Sequence, residues 1–125
     1  MGMRKKNSLI EGIIGKTRKL GLFDDNHVHL DERDIKSVFK GCKHVDFHKF
    51  NVQGIDKSLD RAFDKKKKPK GIVIGINGNR ETTIRECQEI VEAVANRAGS
   101  RTKIVWGAKV NRKQKGTEIG LIFGR

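Results

Sequence analysis

The chain has 125 residues, enough for one ordinary domain with its own core and too few for two of normal size. Its 28 Lys and Arg against 15 Asp and Glu leave a net charge of +13 and a sequence pI of about 10.1, a field that favours nucleic acid, an acidic protein face, nucleotide phosphates or anionic lipid. No apolar run approaches the roughly 20 residues of a membrane-spanning helix, and "LIEGII" after the basic "MRKK" is too short for a signal peptide, so a cytoplasmic chain without a membrane span is expected.

Residues 1–6 read as a basic tail and 7–125 as a single domain. Met1 and Gly2 are given no function, because Lys6 stands where a myristoylation signal wants Ser or Thr. Leu9, Ile10, Ile13, Ile14 and Thr17 share one helical face and predict an amphipathic helix over 7–19, weakened by Gly12 and Gly15. A connector follows. Asp31 to about Lys40 reads as a short helix with Ile35, Val38 and Phe39 inward, and "KHVDFHKFNV" at 43–52 alternates as a strand. Residues 53–64 place Ile55, Leu59, Ala62 and Phe63 at helical core spacing. Beyond the Lys-rich "KKKKPK", "GIVIGING" is a continuous β-branched run, the pattern of a strand buried on both faces. The strongest helical pattern comes next. Thr82 or Thr83 can cap it, Glu86 stands at capping-box distance from Thr83, and Ile84, Cys87, Ile90, Val91, Val94, Ala95 and Ala98 form one stripe before Gly99. "TKIVWGAKV" and "EIGLIFG", separated by the polar "NRKQKGT", close the chain as strands. The implied fold class is α/β, a two-layer sandwich with a four-stranded mixed sheet and packed helices.

The two cysteines, Cys42 and Cys87, lie far apart without a CxxC, and Cys87 falls on the apolar stripe, so buried reduced thiols are expected rather than a disulfide or zinc site. "DDNHVHLDERDIK" needs closer reading. His27, His29 and Asp31 have the HxHxD form of some metal hydrolases, but the remaining histidines, His44 and His48, fall in one strand and no HExxH follows, so no metal is expected. Asp31 fits an N-cap with Asp34 at the third helical position and Leu30 stapled onto Ile35, which accounts for both aspartates without catalysis. "GIIGKT" lacks phosphate-loop spacing and "GINGNR" lacks dinucleotide spacing. No cofactor bound by this chain alone is therefore expected.

Several strings resemble one known family. "NHVHLDERDIKSVF" resembles a loop and following helix of FtsZ and other tubulin-superfamily proteins, "KKPKGIVIGINGNRETTIRECQEIVEAVA" resembles a later strand, turn and helix, and "TKIVWGAKVN" resembles the "AKIIWGA" strand of archaeal FtsZ. The resemblance runs over about residues 8–124. It implies the C-terminal activation domain with its synergy loop, without the GTP-binding half and its GGGTGTG signature. In that family the synergy loop reaches the nucleotide of the next subunit, where two acidic side chains orient the attacking water. By position these are Asp31 and Asp34, with His29 where the family has Asn, and Leu30, Glu32 and Arg33 alongside at the partner. The resemblance thus implies an FtsZ or FtsZ-like partner, that partner's GTP, no enzyme activity of the chain by itself, and filament capping or GTPase stimulation in cell division. A homo-oligomer is also expected from the apolar face of 7–19. Two other readings compete. One is a basic nucleic-acid or ribosome-associated module on the same fold, carried by Lys65, Lys66, Lys67, Lys68, Lys70, Arg112, Lys113 and Lys115; the other is a piece of a full-length FtsZ-like GTPase.

Overall fold

The computed structural model describes residues 32–63 and 68–125. The basic tail, the helix predicted over 7–19 and the connector lie outside the described residues. Seven elements follow in chain order: α1 (Glu32–Val38), β1 (Val45–Asn51), α2 (Ile55–Ala62), β2 (Gly71–Gly78), α3 (Ile84–Ala98), β3 (Lys103–Val110) and β4 (Glu118–Gly124). The strands form one sheet in the order β1-β4-β2-β3. β4 runs antiparallel to both β1 and β2, while β2 and β3 are parallel with α3 as their crossover, so the sheet is mixed as expected.

β2 is one of the two inner strands and its composition follows from that place. Gly71–Ile76 are all buried, with Ile72, Ile74 and Ile76 on one face and Val73 on the other. The larger core lies on the isoleucine face. There Leu59 and Ala62 of α2 and Cys87, Ile90, Val94 and Ala98 of α3 pack on Ile119, Leu121 and Phe123 of β4. Phe123 also meets the Phe63 ring at 4.7 Å between centroids. The second face is covered by α1, whose Ile35, Val38 and Phe39 cluster with Cys42, Val73 and Ile122. Helices therefore lie against both faces of the sheet. α2 and α3 form the second layer of the expected sandwich, and α1 adds cover beneath it, as a central strand that is apolar on both sides requires.

Local chemistry sets the ends. Thr83 caps α3, its Oγ1 accepting from the Glu86 N–H at 3.1 Å, which settles the choice between the two threonines. Thr82 instead ties the preceding turn. The Asn79 N–H donates to its Oγ1 at 3.0 Å, and the hydroxyl lies 3.1 Å from that of buried Thr117. α1 ends at Val38, two residues before the predicted limit, because the chain turns through Gly41 at φ 82.

Candidate functional site

The predicted synergy-loop residues divide at the start of α1. His29, Leu30 and Asp31 lie outside the described residues; Glu32 opens α1, and Arg33 and Asp34 follow as exposed residues of its first turn. The helix is amphipathic in the most economical way. Ile35, Val38 and Phe39, spaced i, i+3, i+4, bury into the sheet, and Arg33, Asp34, Lys36 and Ser37 are exposed. Glycines permit that close seating: a Cβ on Gly71 would collide with the Val38 carbonyl, and one on Gly124 would strike the Phe39 ring and Cys42 Sγ. Asp34 occupies the third helical position, where a carboxylate complements the helix's positive end. The arrangement holds Arg33 and Asp34 outward on an anchored helix. The N-cap expected at Asp31 and its staple through Leu30 lie outside the described residues.

The lysines of the competing reading do not meet. Lys68 and Lys70 precede β2, whereas Arg112, Lys113 and Lys115 lie in the turn between β3 and β4, at the opposite end of the sheet. β2 has eight residues, so at about 3.3 Å each the two groups are separated by roughly 25 Å of sheet. Lys65, Lys66 and Lys67 lie outside the described residues. All five described members are exposed.

Of the histidines, His44 is exposed and His48 sets its ring 5.1 Å from that of Phe123. Among the described residues no group of three His, Cys, Asp or Glu could hold a metal, and no helix is long and apolar enough to cross a membrane. Cys42 and Cys87 are both buried and unbridged. Burial pushes both thiols above their ordinary 9.0, with Lys70 partly offsetting this at Cys42 and Glu86 adding to it at Cys87. They are inert packing groups rather than nucleophiles.

One feature escaped sequence reasoning. A cleft of about 320 Å³ opens where β2 and β3 end beside the start of α3, floored by Ile76, Ala108 and Cys87 and rimmed by Arg80 and Lys109. Ile84, which shares the helical stripe, is 49% exposed because it sits at this mouth, past the edge of the core. Only the parallel pairing of β2 with β3 brings these residues together, so no local string announces the cleft.

Among solved structures, the fold matches an empty FtsZ dimer from M. jannaschii at TM-score 0.63, with 19% identity over 82% of this chain and 33% of that one. CetZ from Methanosaeta thermophila matches at TM-score 0.57, with 15% identity over 83% of this chain and 33% of that one. The described residues thus share the fold of about a third of these FtsZ and CetZ chains. No protein-family model matches the sequence. Over 110 residues the chain is 27% identical to the cell division protein FtsZ of Methanothermobacter thermautotrophicus, covering 81% of this chain and 28% of that relative's length.

Proposed function

We propose that this chain works as the C-terminal type of FtsZ-like domain, docking its α1 face on the nucleotide side of an FtsZ-like filament subunit. The observation that carries the reading is the exposed Arg33–Asp34 pair on an anchored α1 within an FtsZ/tubulin-like fold. A carboxylate brought near a γ-phosphate acts by orienting and polarising water, because phosphoryl transfer depends mainly on positioning and electrostatics. Asp34, with Asp31 and His29 ahead of it, supplies that half of a site in trans, and Leu30, Glu32 and Arg33 contribute the contact. The chain by itself hydrolyses no GTP. Joined to a filament end, it caps that end or changes the partner's turnover.

The test is co-sedimentation and GTP turnover of an archaeal FtsZ with the wild-type chain and with an Asp31→Ala, Asp34→Ala double variant. Wild type is expected to co-sediment and to change turnover, and the double variant to lose the turnover effect. A wild-type chain that neither pellets with the GTP-bound filament nor alters its rate rejects the reading.

A further inference from the structure

Cations separated in sequence converge at the end of the sheet where β2 and β3 begin. Lys43 precedes β1, Arg125 follows β4, Lys70 precedes β2 and Lys103 opens β3. The backbone joins them in that order: the Lys43 N–H donates to a main-chain oxygen of Arg125 at 2.6 Å, the Lys70 N–H to the Gly124 carbonyl at 2.7 Å, and the Lys103 N–H to the Lys70 carbonyl at 3.1 Å. Each strand of the sheet thus contributes one cation to a transverse row. With strands about 4.8 Å apart, the row spans roughly 14 Å. Lys40, Lys68 and Arg101 flank it, and like the three lysines of the row they are exposed.

Among the described residues, few acidic side chains lie at this end of the sheet. Segments 40–44, 68–71, 99–103 and 124–125 contain no acidic side chain. Asp46, the nearest carboxylate in β1, is engaged by the Arg125 guanidinium. The free charge of the row therefore rests on Lys43, Lys70 and Lys103.

We propose that this end of the sheet binds the phosphate backbone of nucleic acid without reading its sequence. A line of lysines fits a line of phosphates, since lysine acts as a point charge on phosphate without needing a planar fork. Among the described residues, these segments contain no Phe, Trp, Asn or Gln and His44 is their one aromatic ring, so they offer little for base stacking or for amide readout of base edges beside the lysines. The Thr102 hydroxyl is already committed to the Pro69 carbonyl at 2.9 Å and the Ala98 carbonyl at 3.2 Å. An anionic membrane suits the surface less well, because a basic patch needs a second, apolar signal for stable attachment. The proposal does not depend on docking to a filament, which uses the face of α1.

The experiment is fluorescence anisotropy of the full chain with labelled duplexes of about 20 base pairs and two unrelated sequences, from about 50 to 200 mM salt. A Lys43→Glu, Lys70→Glu, Lys103→Glu variant is compared with Arg112→Glu, Lys113→Glu, Lys115→Glu, which changes net charge equally at the far end. The row variant is expected to bind at least about tenfold more weakly and to lower the salt slope by roughly 3, at about 0.9 per phosphate contact, while the far-end variant stays within about threefold of wild type. Should the reversals impair folding, Lys→Gln at the same three positions gives the same ranking with a smaller loss. Equal losses from the two triples overturn the proposal by showing that net charge alone acts. A strong preference for one duplex overturns it, as does tighter binding to poly-glutamate or to phosphatidylserine vesicles than to duplex at matched salt.

Discussion

The two faces of one sheet are built on opposite plans. Toward α2 and α3 the strands present Ile72, Ile74, Ile76, Ile119, Leu121 and Phe123, all fully buried. Toward α1 they present Val73 and Ile122, and glycines at Gly71 and Gly124, where Val38, Phe39 and Cys42 close directly on the backbone. The first face gains stability from bulk, the second from close approach. Burial of large side chains stabilises in proportion to the apolar area removed from water, so the α2/α3 face should set global stability and α1 should open at lower cost.

The largest test of this contrast is Phe123→Ala. It removes a fully buried ring that packs against Phe63 and His48, and a loss of about 3–5 kcal/mol is expected in denaturant melts. Ile35→Ala, on α1, should fall near 2 kcal/mol, the low end for such a truncation. If the two costs come out equal, the faces are energetically one core.

Next in size is Gly71→Ala. The added methyl would collide with the Val38 carbonyl and Cγ1, so α1 must shift away, at about 1–3 kcal/mol. Hydrogen exchange should show the amides of α1 losing protection while those of α3 keep theirs. Loss of protection in both helices would mean that the close approach supports the whole sheet. Thr83→Ala is smaller again, about 1 kcal/mol in global stability from the lost cap on α3.

How far these faces were legible depended on whether the signal was local. The continuous β-branched run in "GIVIGING" announced a strand covered on both sides, and the stripe from Cys87 to Ala98 announced α3 with its cap and its stop at Gly99, because apolar runs, period and capping are written within a few residues. Asp34 was placed correctly in the first turn of its helix for the same reason. Long-range pairing was not written locally. Lys68 and Arg112 read as one basic set along the chain but occupy opposite ends of the sheet, while Lys43, Lys70 and Lys103, far apart in sequence, become neighbours only through the order β1-β4-β2-β3. The cleft beside Ile84 was hidden by the same dependence on strand order, and the exposure of that residue is its one visible trace.

The smallest predicted effect also reads the two faces separately, because each holds one thiol. Cys42 packs with α1 against Val73 and Ile122, and Cys87 packs on the α2/α3 side. Both are held above their ordinary 9.0 in the folded chain, mainly by burial. The unfolded chain therefore gives up these protons first as pH rises. The stabilisation this reflects is fully present below pH 9.0 and is lost progressively as pH climbs from there through the folded values, so denaturant midpoints should fall on the alkaline side and not between pH 6 and 8. At neutral pH both thiols should resist iodoacetamide. Added urea below the global transition should accelerate labelling of Cys42 while leaving Cys87 protected, since opening α1 exposes only the first. Equal rates at every urea concentration would show that the thin face and the thick face come apart together, and that the glycine-lined contact is as cooperative as the isoleucine core.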